Sequence, residues 1–356
     1  MEMTLCKSAL GSPYLYYFLP GLAQFIQRYV IPLLVAVGVI GHGVNLVVLT
    51  ARRLRRLPTC VYLAGMSACD LIFLLSSGFE TLPALGFSMV QQNERFNYFY
   101  VSVVPFLRFL ERTSVAVSTW LMVLFNIERF ANICYPHQTH ITFTKNFAKK
   151  FALAVFLLTL PLSVHFPFVY VIKKCTYNNY ILHYLSESPD RYIRVWDYAC
   201  LQISMVFLFC IPTVLITIFS FIIVYKLTKL IQREELITGQ SLRRERWGAH
   251  SLLFGAVLMK VLCTGPQIPL AIIQVLRNFY EIQVSLTITS ITDILIFLDS
   301  SLDLLIYCLF SRRYRKHLGK RISAIVSCVS SSMADDRAVL NGPTLRRLEP
   351  RRDSRM

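Results

Sequence analysis

Long apolar runs separated by short polar, mostly basic segments dominate the pattern of this 356-residue chain. A helix needs about 20 apolar residues to cross a hydrocarbon core about 30 Å thick. Stretches that meet this requirement fall at approximately 29–51, 57–79, 98–127, 151–172, 198–225, 249–276 and 284–310. They predict an all-α membrane protein, a bundle of seven transmembrane helices. The interruptions are as informative as the runs. The first run holds no charge between Arg28 and Arg52, and the second holds Asp70. The third carries Arg108, Glu111 and Arg112, which predicts that it faces a protein interior or a water cavity. Lys260 lies in the sixth, and Asp293, Asp299 and Asp303 in the seventh.

Composition strengthens this picture. Hydrophobic residues make up 55% of the chain and charged ones 16%, against roughly 25% charged in soluble domains, and the mean hydropathy is +0.51. A soluble enzyme, a disordered hub and a disulfide scaffold are thereby excluded. The net charge of +17 would ordinarily suggest nucleic acid as a partner, but its placement follows the membrane. With the N-terminus outside, 26 Lys and Arg residues fall in the inner segments and 8 in the outer ones. The positive-inside rule therefore predicts a multi-pass protein with N-terminus out and C-terminus in. Its basic excess faces anionic inner-leaflet lipid. No cleavable signal peptide is expected, because the apolar stretch at Tyr14–Leu22 is short and broken by Pro20 and Gly21. No Asn-x-Ser/Thr sequon occurs. Of ten cysteines, Cys6, Cys175 and Cys200 fall on or near the oxidising side. One disulfide is expected among them, Cys175 with Cys6 or with Cys200.

Several motifs narrow the class. The third span ends in Glu128-Arg129-Phe130 and is followed by Cys134-Tyr135-Pro136. The seventh ends in Asp303-Leu304-Leu305-Ile306-Tyr307-Cys308, then Phe310-Ser311-Arg312-Arg313-Tyr314-Arg315. With Asn45 and Asp70, this pattern resembles the rhodopsin-like (class A) G-protein-coupled receptors over about residues 29–320. The run Ile222-Ile223-Val224-Tyr225-Lys226-Leu227 is similar to receptors for short neuropeptides of the invertebrate FMRFamide and myosuppressin type, and to an orphan branch answering aromatic amino acids. The resemblance implies a plasma-membrane receptor with an extracellular peptide ligand, a heterotrimeric G protein and arrestin as partners, and no enzyme activity. This chain also departs from the family. Val104 stands where the family has a cysteine, so its usual bridge to Cys175 cannot form. The fourth-span Trp is missing, with Phe156 near its place. The sixth span reads Cys263-Thr264-Gly265-Pro266 without the toggle aromatic, and the seventh lacks its proline. Arg246 stands where an acid is expected on the lower sixth span, so an ionic lock there is not expected.

Charge inside lipid costs several kcal/mol unless paired or solvated, so each such residue is a functional candidate. The resemblance makes Glu128, Arg129 and Tyr307 the G-protein switch, with Glu128 holding Arg129 at rest; the bland alternative is an arginine snorkelling to headgroups. Asp299 and Asp303 are four residues apart and share a helix face. In such receptors that face meets Asp70, Ser114 and Ser118 in a polar core able to hold sodium. Here Lys260 is expected to replace part of that ion. At about 1.5 Å per residue, Glu111 lies about 27 Å above Arg129, and Asp293 lies about 15 Å above Asp303. Both reach the outer third, where receptors of this class bind ligand. Arg108, Glu111, Arg112 and Asp293, with Gln267 and Gln274 of the sixth span, form the candidate ligand pocket, with Glu111 or Asp293 receiving a ligand cation. A mutual salt-bridge network is the bland alternative.

Residues 1–28 are read as an extracellular N-terminus, 29–310 as the receptor domain, 311–325 as a short amphipathic eighth helix on the membrane surface, and 326–356 as a disordered cytoplasmic tail. Cys328 is a palmitoylation candidate, and Ser330-Ser331-Ser332 could be phosphorylated for arrestin. A receptor for a small amine or an aromatic amino acid remains the nearest alternative. An ion-coupled transporter is the alternative from another class, disfavoured by the odd span number and the missing internal repeat. No metal site is expected: His42, His165 and His250 sit on different spans without ligand spacing.

Overall fold

A computed structural model describes residues 21–51, 58–82, 93–135, 142–177, 180–235, 262–263, 282–302, 315, 318–319 and 323. The chain divides into two compact units, 1–311 and 312–356. In the second, the described residues Arg315, Leu318, Gly319 and Ser323 are helical.

The first-span helix runs Gly21–Leu49, so it begins before the apolar run at 29. A π-helical turn, Ile26–Val30, interrupts it just ahead of Pro32. The fifth-span helix repeats the arrangement: Arg191–Ser204 and Ile211–Glu235 flank a π-helical turn at Met205–Cys210, and Pro212 follows. Proline lacks an N–H and its ring crowds the preceding turn, so the chain widens that turn rather than break. The second helix spans Pro58–Glu80 and the fourth Lys145–Ser163, capped by the Thr144 hydroxyl on the Phe147 N–H at 3.2 Å. The third is 41 residues long, Glu94–Cys134. It starts on Asn93, whose side chain accepts from the N–H groups of Arg95 and Phe96. The seventh-span helix covers Ile282–Ser301.

Four of the described helices are long and apolar enough to cross a membrane: Gly21–Leu49, Thr59–Glu80, Lys145–Val169 and Arg191–Lys226. The third is more polar, as its charges require, and it is buried along much of its length. First, second and seventh helices meet closely at Gly38. A Cβ there would lie 2.6 Å from Leu74 Cδ1 and 2.8 Å from Ser301 Oγ. Ser301 donates to the Leu34 carbonyl at 2.9 Å, and His42 Nε2 contacts the Ser300 carbonyl oxygen. Phe73 and Phe297, 5.3 Å apart, pack with Ile26, Ile31 and Leu74 into one core cluster.

One element has no counterpart in the apolar pattern. Strands β1 (Tyr170–Tyr177) and β2 (Tyr180–Glu187) pair antiparallel, Tyr170 opposite Glu187 and Tyr177 opposite Tyr180. This hairpin fills much of the segment between fourth and fifth spans, and the fifth helix accordingly begins at Arg191 rather than 198. β2 docks on the top of the third helix. Tyr100, Val101 and Val104 pack with Leu185, and the buried Asn97 side chain accepts from the His183 N–H at 2.6 Å. Val104, at the position of the family's cysteine, thus joins the hairpin through apolar packing.

Candidate ligand cavity and switch

The charged turn of the third helix opens on a cavity of about 180 Å³. Gln27 lines it from the first helix, Phe73, Ser77, Glu80 and Thr81 from the second, Glu111, Arg112 and Val115 from the third, and Asp293, Ile296 and Phe297 from the seventh. That volume corresponds to about six waters at about 30 Å³ each. The π-helical turn of the first helix carries Gln27, whose Nε2 donates to Asp293 Oδ2 at 2.9 Å. Glu111 is hydrogen-bonded to Ser77. Glu80, which ends the second helix, pairs with Arg108 at 3.5 Å through Oε2, while its Oε1 is buried and accepts no hydrogen bond.

Glu111, Arg112 and Asp293, singled out from sequence, therefore line one cavity. Arg108 turns instead to Glu80 and lies 5.4 Å from the Tyr170 ring of the hairpin. Arg112 is 5.9 Å from the Phe166 ring centre. Gln267 and Gln274 lie outside the described residues. Glu80 and Gln27 were missed in the sequence. Glu80 stands at a span end, where acids are ordinary. Its signal was indirect: an arginine in lipid at position 108 demands a carboxylate at its own level.

A second polar contact joins the fourth and fifth helices. His165 Nε2 is 3.2 Å from Asp197 Oδ1, and the fully buried imidazole rests 4.3 Å from Phe166. Asp197 falls inside the fifth helix only because that helix begins at Arg191. Cys200, one turn further on, is a free buried thiol. The structure holds Cys200 as a free thiol within the fifth helix, not joined to Cys175, which stands opposite Leu182 in the hairpin. Cys6 and the Cys175 side chain lie outside the described residues.

At the far end of the third helix, Glu128 is buried and accepts from the Thr59 hydroxyl at 2.8 Å. The Arg129 guanidinium lies 5.2 Å from the Phe125 ring centre. Phe130 meets Phe219 of the fifth helix at 5.6 Å. One contact of Glu128 thus runs to the second helix. Asp70, Ser114 and Ser118 are buried on the adjacent second and third helices, and Asp299 is half-buried on the seventh. Lys260, Asp303 and Tyr307 lie outside the described residues.

Comparison with known proteins agrees with this architecture. The signature of the serpentine type 7TM GPCR chemoreceptor Srw family matches residues 29–324. The FMRFamide receptor of Drosophila melanogaster is 22% identical over 292 residues, covering 78% of this chain and 50% of its own length. A Caenorhabditis elegans chain named for the G-protein coupled receptors, F59B2.13, is 25% identical over 81% of this chain and 71% of its own. The gastrin/cholecystokinin type B receptor of Rattus norvegicus is 27% identical over 54% and 40% respectively. The chain thus spans about half the length of the fly receptor. A helical bundle with apolar, membrane-length spans and a match across 29–324 gives one conclusion: this chain belongs to the serpentine 7TM GPCR chemoreceptor Srw family, and is a multi-pass plasma-membrane receptor and not an enzyme.

Proposed function

We propose that the chain is a receptor for a short basic or amidated peptide, oriented with its N-terminus outside, which passes ligand binding to heterotrimeric G proteins. The observation that carries this reading is the cavity lined by Glu80, Glu111 and Asp293 at the hairpin end of the bundle. Buried carboxylates are costly unless something cationic meets them, and a ligand's basic group does so. Relatives named as FMRFamide and gastrin/cholecystokinin receptors support a peptide ligand. On this orientation the hairpin faces outside and Arg129 faces the G protein. Release of Glu128 from Thr59 would let the second and third helices part and expose Arg129 to its partner.

Asp70, Ser114 and Ser118 offer the all-oxygen chemistry that suits a hard cation such as sodium. In this reading they form the polar core with Asp299, Asp303 and Lys260, and Lys260 supplies part of the positive charge. Arrestin binding at the serine-rich tail is proposed on the same basis.

The test is a screen of cells expressing the full chain, with nucleotide exchange on the G protein as readout. It includes short amidated peptides, small amines and aromatic amino acids. Activation by peptides supports the proposal. Activation by amines or amino acids alone replaces the ligand class, and silence toward all three despite surface expression overturns the reading.

A further inference from the structure

The contact between His165 and Asp197 belongs neither to the cavity nor to the switch, and its place in the chain sets it apart. His165 lies near the end of the span Lys145–Val169, and β1 begins at the next residue, Tyr170. Asp197 lies in the helix that starts at Arg191, shortly after β2 ends at Glu187. The pair therefore joins the two roots of the hairpin. Directly above it the Ser188 N–H donates to the Val169 carbonyl at 2.8 Å and closes the hairpin's base.

The surroundings of His165 suit a neutral ring. It is fully buried, 4.3 Å from Phe166 and 6.0 Å from Trp196. Its Nε2 is 3.2 Å from Asp197 Oδ1, yet neither ring nitrogen makes a well-directed hydrogen bond. Charged groups reach it from three elements: Arg112 from the third helix, Asp197 from the fifth, and Glu187 of β2 behind Asp197. The second helix and β1 turn Glu80 and Tyr170 to Arg108 instead. On its own helix the ring meets the Leu162 carbonyl, and Cys200, a turn beyond Asp197, is a free thiol. A proton taken up here places a cation where water does not reach. The Arg112 guanidinium, 5.9 Å from the centre of the Phe166 ring, opposes it. Asp197 offsets part of this cost, but its side chain is 22% exposed and out of line with the imidazole. Histidine is also the side chain that ordinarily charges in mild acid.

We propose that His165 is an acid-released clasp. As a neutral ring it holds the fourth and fifth helices together beneath the hairpin; protonated, it lets them part and frees the hairpin's roots. A histidine buried neutral must charge in acid, so the stability it contributes is present at neutral pH and lost as pH falls. Only the naming of the medium rests on the proposed orientation: with the hairpin outside, the clasp answers extracellular acidity.

The experiment follows amide exchange in the purified full-length receptor in detergent at about pH 7.5 and about pH 5.5, on either side of the ordinary imidazole range. Rates are corrected for the intrinsic effect of pH. The reporting amides are Phe168 and Val169, bonded to the His165 carbonyl, and Ser188, bonded to the Val169 carbonyl. Their protection should fall about tenfold on acidification, within the limit of about tenfold per pH unit that one proton sets. Ala148, bonded to Thr144 at the other end of the fourth helix, should keep its protection. His165→Gln cannot take up the proton and should show no fall at the three amides. If that variant fails to fold, Asp197→Asn replaces it; with the carboxylate gone the buried cation is met by less, and the fall should exceed that of the wild type. Unchanged or rising protection of the wild type in acid, an equal fall in His165→Gln, a smaller one in Asp197→Asn, or an equal fall at Ala148 overturns the proposal. No ligand or G protein enters these measurements, so a chain that never drives nucleotide exchange would fail the receptor reading while leaving this result intact.

Discussion

Arg108 and Arg112 stand four residues apart on the third helix, yet they take different partners. Arg108 pairs with Glu80 and lies near Tyr170, while Arg112 lines the cavity beside Glu111 and lies near Phe166. Helical spacing puts both on one side, but the elements opposite each decide its role. Glu111, between them, is the acid placed deepest along the third helix within the cavity lining. Glu111→Gln keeps its size and removes its charge. A lost hydrogen bond to a charged group costs about 1.5–3 kcal/mol, so agonist potency should fall roughly ten- to a hundredfold. Dose–response curves at matched surface expression would show it; unchanged potency would take Glu111 out of the ligand site.

At the scale of elements, prolines and the hairpin shape the site more than the spans' apolarity does. The π-helical turn ahead of Pro32 carries Gln27, and it is from that turn that Gln27 reaches Asp293. Pro32 is visible in the sequence, and an interrupted first helix was legible from it in principle. The hairpin was not. Tyr170–Glu187 mixes polar and apolar residues without a clean alternation, and its lysines read as loop. It is held by docking on the third helix, where Asn97 accepts from the His183 N–H. Asn97→Ala leaves that N–H without its acceptor, at a cost of about 1–3 kcal/mol. Its thermal midpoint should fall and amide exchange in β2 should quicken. If exchange at His183 stays as slow as in the wild type, the hairpin is held by other contacts.

For the whole molecule, the proposed function divides the work between the ends of the bundle, with ligand at the hairpin end and the switch at Arg129. Arg129→Ala should retain surface level and ligand binding while abolishing nucleotide exchange, because Arg129 is only half-buried and lies at the end of the third helix away from the cavity. Full signalling by this variant would remove the switch from the third helix. The orientation has its own test. An epitope at the N-terminus should bind antibody on intact cells, and one at the C-terminus only after permeabilisation; the reverse pattern would invert every assignment of outside and inside made from the 26-to-8 distribution of Lys and Arg.

The sequence by itself determined the solvent and the class. Apolar runs of membrane length can be satisfied only by helices in lipid, and residues such as Arg108, Glu111 and Asp293 announce a polar interior because charge in hydrocarbon must be met by something. Rise per residue then fixes depth along each helix, which put Glu111 and Asp293 at one level before any packing was known. Depth says nothing of rotation or neighbour. That Arg108 meets Glu80 and not Glu111, that Gln27 reaches Asp293 from another helix, and that His165 finds Asp197 were decided by packing across residues far apart in the chain. Close approach at Gly38 brings first, second and seventh helices together, and the widened turn before Pro32 carries Gln27 to them. Cysteine spacing could not exclude a Cys175–Cys200 bridge; the packing leaves Cys200 a free thiol in the fifth helix. Pairings of this kind depend on interhelical geometry, which many side chains set jointly and no local pattern encodes.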